Sequence, residues 1–243
     1  MKKILIIFVA ALLVGYLAFS IIYFNDSTKG EVCNSFEVIV KDSSNIHFIK
    51  HTDIEELLKR KKIYPVGKTM EEVNTLEILD TILNNKLVKS AKVYTTKGGK
   101  IVVNIYQKVP VLRVISNTKG SFYIDSNRET MPVSPHFTVY VPVATGAVDE
   151  DFAQNELYDF VMYLNDNPYW NAWVDQIVVK SNRDVELIPR VGDFKINFGK
   201  LENYNEKFSR FSLFIEKGLN VVGWNRYSEI NLKFDNQVVC VKK

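Results

Sequence analysis

The sequence predicts an α+β protein: a transmembrane helix, a small β-α-α-β-β domain, then a mostly antiparallel β domain with flanking helices. Three observations carry that prediction. An uncharged run, Ile4 to Phe24, follows Met1-Lys2-Lys3. Two helix-like segments then precede a Gly-Gly hairpin, and from Phe122 onward period-two alternation dominates. The layout expected is a cytoplasmic tail (1–3), a transmembrane helix (4–24), a stalk (25–35), a first domain (36–115) and a second (116–243).

At ~1.5 Å per residue the first run spans roughly 30 Å as a helix, about the hydrocarbon thickness of a bilayer. Tyr16 and Tyr23 suit an aromatic belt, and Lys2 and Lys3 mark the cytoplasmic side. A cleaved signal peptide is the competing reading. It wants only about 7–15 apolar residues and an A-x-A-like site, whereas Ala18-Phe19-Ser20 lies inside the run. The uncleaved anchor is preferred, which places the bulk of the chain outside the cytoplasm.

The formal net charge is +3. Lys2 and Lys3 supply two of those charges, leaving about +1 (3 − 2) on the exported part. That balance argues against nucleic acid and against a strongly acidic partner. Two cysteines, Cys33 and Cys240, are too few for a disulfide framework, and free or buried thiols are expected.

The first domain opens with Phe36–Asp42, which alternates as a strand. Thr52-Asp53-Ile54-Glu55 matches a capping box, and the helix it starts puts Ile54, Leu57 and Leu58 on one face. Lys59 to Lys62 close it, as the helix dipole favours. A second helix, from about Met70 to Asn85, spaces Val73, Leu76, Leu79 and Leu83 as its stripe. Two strands follow around Lys97-Gly98-Gly99-Lys100, where the glycines supply the positive φ of a tight hairpin turn.

In the second domain, Phe122 to Val133 is a hairpin turning at Asp125–Arg128. A helix runs from about Phe152 to Asn165 behind the acidic cluster Asp149-Glu150-Asp151, which stabilises its N-terminus. Val174 to Gly199 reads as three antiparallel strands. Lys200 to Lys217 reads as an amphipathic helix, and Tyr227 onward as a terminal strand pair.

Catalytic signatures such as G-x-S-x-G, H-E-x-x-H or C-x-x-C do not occur in the chain. His47 and His51 are four apart but precede the expected helix, so no metal is expected there. Cys240 with Arg226 or His136 is conceivable as a cysteine-transpeptidase centre. A cysteine in "VVCV" is better read as a small buried apolar residue. Trp170 and Trp173 are read as packing between helix and sheet rather than a sugar-stacking surface.

The order of elements and their residues resemble the POTRA module, and more specifically the bacterial FtsQ/DivIB cell-division family. The family hairpin stands here as Val88-Lys89-Ser90-Ala91-Lys92-Val93, Ile101-Val102-Val103-Asn104-Ile105 and Lys108-Val109-Pro110-Val111. Gln107-Lys108 replaces a usual acidic residue, and Leu87-Val88 a common Pro-Trp-Val. "FYIDSNRETMPV" and "YVPVATGAV" are similar to further family segments. The close, "YSEINLKFDNQVVCVKK", resembles the terminal strand pair, with Asn231, Lys233 and Phe234 where Asp, Arg and Tyr are usual.

This resemblance implies a non-enzymatic, essential-type divisome scaffold in the cytoplasmic membrane, N-terminus inside, at the division septum, without cofactors. It implies recruitment by β-strand addition of two small bitopic division proteins, FtsB (DivIC in some lineages) and FtsL. The partner-binding residues implied are Tyr227, Glu229, Asn231, Lys233, Phe234, Val238, Val239, Cys240 and Val241, with Arg183 as a basic position beside them. The rivals are a POTRA-bearing secretion or outer-membrane assembly factor, which usually continues into a long barrel, and a membrane-anchored cell-wall enzyme.

Overall fold

The computed structural model describes residues 2–25, 30–41, 47–134 and 137–243, and on the first helix the side chains of residues 9–20. That helix, α1, runs Lys2–Asn25. Among the described residues no helix is long and apolar enough to cross a membrane. The span expected over residues 4–24 therefore rests on its sequence. The described chain divides into two units: one takes residues up to 41 and 49–106, the other residues 47–48 and 107–243.

The first unit contains β1 (Ser35–Lys41), α2 (His51–Arg60), α3 (Thr75–Leu83), β2 (Val88–Thr96) and β3 (Lys100–Gln107). Its three-stranded sheet has the order β1-β3-β2, with β1 parallel to β3. The β2–β3 turn is as expected, with Gly98 at φ +87° and Gly99 at +68°. A Cβ on Gly99 would also meet the Val32 carbonyl oxygen at 2.3 Å, so glycine is demanded twice there.

Three expectations are corrected in this unit. The capping box does not form at Thr52. The helix starts at His51, with Lys50 as its N-cap, and Asp53 reaches back to accept from the Lys50 amide at 3.0 Å. Secondly, α3 starts later than Met70, because the Asn74 carboxamide accepts from the Leu76 and Glu77 amides and caps it there. Its buried stripe is Ile78 and Ile82, while Leu76 is 70% exposed. Thirdly, part of the expected stalk belongs to the fold. Cys33 is buried, its amide donates to the Lys68 carbonyl, and its carbonyl accepts from Gly67.

The second unit is built on a nine-stranded sheet. Its elements are β4 (Pro110–Ser116), β5 (Gly120–Asp125), β6 (Thr130–Pro132), β7 (Val143–Gly146), α4 (Glu150–Gln154), α5 (Glu156–Asp166), α6 (Pro168–Trp173), β8 (Val174–Val179), β9 (Val185–Pro189) and β10 (Lys195–Gly199). Then come α7 (Tyr204–Phe214), a π-helical turn (Ile215–Leu219), α8 (Asn220–Val222), β11 (Tyr227–Asn231) and β12 (Val239–Lys242). The strand order is β12-β11-β10-β9-β8-β7-β4-β5-β6.

β4 is hydrogen-bonded to β5 and β7. The boundary expected at 115/116 therefore moves back to 106/107. The sheet is also more mixed than expected, since β4–β7, β7–β8 and β10–β11 are parallel.

One face of this sheet is covered by helices. Leu157, Phe160, Val161 and Leu164 of α5 and Phe208 and Phe211 of α7 join Ile177, Leu187, Ile196 and Ile230 of the strands in one core. Trp170 stacks on Phe208 at 4.4 Å and Trp173 on Trp224 at 5.6 Å, so both indoles are packing elements, as expected. Asp149 caps α4 by accepting from the Phe152 amide. The single helix expected over 152–165 breaks at Asn155 (φ −112°, ψ −96°) into α4 and α5.

On the other face, Phe48 and Phe137 lie together beside Tyr123, which with Met131 is almost fully buried. Lys108 sits 3.5 Å from the buried Asp125 and 2.5 Å from Glu129. The basic residue that departs from the family hairpin is thus paired inside its own unit.

Candidate docking edge

β12 ends the nine-stranded sheet. It is antiparallel to β11, with Glu229 opposite Val241, Ile230 opposite Cys240 and Asn231 opposite Val239. No described strand pairs with its other side. Alternation then sorts the side chains. Ile230 and Leu232 are fully buried, and Val238 and Cys240 pack against the same core. Val239 (39% exposed) and Val241 (51%) face solvent on the open side.

Tertiary contacts hold the hairpin down. The Asn231 side chain accepts from the Lys233 amide and starts the turn, and Asn236 takes the left-handed conformation that Asn tolerates. Lys233 crosses the end of β10, where Gly199 (φ +78°) leaves room: a Cβ there would lie 2.6 Å from the Lys233 Cγ. The Lys233 ammonium donates to Asp184 at 2.7 Å, and Lys200 approaches the other oxygen at 3.3 Å. The Lys233 hydrogen bond holds the Asp184 carboxyl below the ordinary carboxylate range. Arg210 donates to the Leu232 carbonyl at 3.2 Å.

The open face beside β12 is polar. Glu229 is 3.5 Å from Lys195, which bonds Glu186 at 3.1 Å, and Lys180 reaches Glu186 at 2.7 Å. Asn197 donates to Glu229, and its Oδ1 is buried without a hydrogen-bond partner among the described residues. Tyr227 packs on Phe214 at 6.0 Å.

Nine of the ten residues implied as partner-binding thus lie on one hairpin. Of these, Val239, Val241 and the half-exposed Phe234 are presented to solvent, whereas Lys233 is held by Asp184. Arg183 precedes Asp184 but sends its guanidinium to Asp149 (2.9 Å), Asp151 (3.2 Å) and Glu156 (3.6 Å). It ties the β8–β9 turn to the start of the α4–α5 pair. Sequence reasoning missed Asp184 and Gly199, because their partners are distant in the chain and no local pattern marks them.

Chemistry elsewhere is sparse. Both cysteines are free, and burial pushes the Cys240 thiol above its ordinary pKa, the wrong direction for a nucleophile. His136 lies outside the described residues, and His51 is the first residue of α2. Among the described residues no group of three or more His, Cys, Asp or Glu is arranged to hold a metal.

A family model described as FtsQ/DivIB, C-terminal related, matches residues 109–241, more than half of the chain. The chain belongs to the FtsQ/DivIB family. A second model, of a POTRA-like domain, matches residues 31–106. The two matches meet close to the exchange between the structural units, and the POTRA-like match includes the drawn-in residues 31–34. None of the curated proteins matches the chain. FtsQ/DivIB domains point to a scaffold role in cell division and are generally non-enzymatic.

Proposed function

We propose that this FtsQ/DivIB protein is a single-pass divisome scaffold that recruits small bitopic division proteins of the FtsB/DivIC and FtsL kind by strand addition to β12. In this reading residues 4–24 sit in the cytoplasmic membrane and the two units stand on its outer side, at the septum. The observation that carries the reading is the outer side of β12, which pairs with no described strand, beside exposed Val239 and Val241. Such an edge offers backbone N–H and C=O groups to an extended segment, while alternate side chains select it. Tethering to the same membrane raises the partners' effective concentration, so a short strand suffices.

The test follows fluorescent fusions of the full chain and of a chain ending at Arg226 in dividing cells. The full chain is expected at the septum with its partners recruited, and the shortened chain is expected to lose recruitment. A uniform membrane signal from the full chain would remove the division reading.

A further inference from the structure

Away from the terminal hairpin, β4, β7 and β8 of the second unit, with Asn165 of α5 and Asn171 of α6, border a cleft of about 630 Å³, within the size range of ligand sites. Its wall along β4 is Val111, Arg113 and Ile115, which alternate with buried Leu112 and Val114. Tyr140, with 84% of its surface exposed, and Val143 also line it.

The charges are unbalanced. Arg190 is paired with Asp175 at 3.7 Å, which leaves Arg113 without an acid among the described residues. The Arg113 Nε is buried and has no hydrogen-bond partner among them, and the guanidinium sits 5.8 Å from the Tyr123 ring. The half-buried guanidinium thus has no acid beside it among the described residues, and a carboxylate is the group whose geometry pairs with it best.

From this we infer that the cleft binds an extended peptide segment of a partner carrying an acidic residue two positions from an apolar one, its carboxylate on Arg113 and the apolar side chain on Ile115. In an extended chain, side chains on one face recur every ~6.8 Å, the repeat of Arg113 and Ile115 along β4, whereas Val111 lies at the irregularity before Leu112 and packs on the core. An acidic-x-apolar segment therefore matches Arg113 and Ile115 in turn, with the exposed Tyr140 ring bordering it. This site is separate from β12.

The test uses the full chain in nanodiscs and fluorescence anisotropy with a labelled Val-Thr-Glu-Thr-Val peptide and its Gln counterpart. Wild type is expected to bind the Glu peptide about tenfold or more tightly than the Gln peptide. Arg113→Gln should erase that preference, and Arg113→Lys should keep part of it. Tyr140→Ala, which alters an exposed ring and spares the fold, should weaken both peptides. Equal affinity of wild type for the two peptides, no binding at about 1 mM, or a preference surviving in Arg113→Gln would overturn the inference. Val239→Glu/Val241→Glu should leave this binding unchanged, so failure here and failure of the β12 reading are read separately.

Discussion

The two edges of the nine-stranded sheet are built on opposite principles. β6 is three residues long, ends in Pro132, and lies where Tyr123 and Met131 are buried on the sheet's open face. Proline cannot donate to a ladder, so β6 resists strand addition, whereas in length the two edges differ by a single residue. β12 has no proline, exposes Val239 and Val241 beside its free side, and is fastened from behind by Lys233–Asp184 and by Ile230 in the core. The difference teaches that edge protection is applied selectively. The edge without proline is also the one fastened from behind by Lys233–Asp184, which suits the docking strand proposed above.

The largest effect expected is from Ile230→Ala. Ile230 is fully buried opposite Cys240, and its truncation should cost about 2–5 kcal/mol in denaturant unfolding. A cost below about 1 kcal/mol would show that the hairpin is not seated in the core, and the contrast between the edges would collapse. Next is Val239→Glu/Val241→Glu, which should weaken partner capture about tenfold or more, roughly 1.4 kcal/mol, with stability lowered by about 1 kcal/mol at most, since a carboxylate at position 241 faces Glu229. Unchanged capture would show that the partner does not use this face.

Asp184→Asn should destabilise by about 1–2 kcal/mol, below the cost of breaking a fully buried pair because both lysines are partly solvated. The pH dependence has a definite sign. The carboxyl's folded pKa is depressed, so its contribution is present above the unfolded value near 3.8 and is lost as pH falls below it through the folded value. Stability curves of wild type and Asp184→Asn should therefore converge on acidification, and parallel curves would remove the charge from the explanation. The smallest effect is expected from Pro132→Val: a stability change within about 0.5 kcal/mol and no capture of partners by β6. Capture at β6 would show that proline alone had closed that edge.

Legibility in the sequence followed the range of the physics. The Gly98-Gly99 turn was readable because positive φ is a local demand that only a few residues meet. The β8–β10 meander and the terminal strand pair were readable from alternation. The stripe on α3 was misread because "TLEILDTIL" carries two apolar rows, Leu76/Leu79/Leu83 and Ile78/Ile82, and only packing against the sheet chooses between them. The domain boundary was misplaced because β4 alternates equally well whichever sheet receives it.

By itself, then, the sequence determined the β-α-α-β-β order of the first unit, the turns and the family to which the chain belongs, since these follow from backbone preferences and short periodicities. Tertiary structure alone decided that β12 is an edge, that Lys233 belongs to Asp184 and Arg183 to the α4–α5 acids, and that Arg113 is left without an acid. Each of those facts joins residues far apart in the chain, and a pairing between distant charges leaves no mark in the sequence around either one.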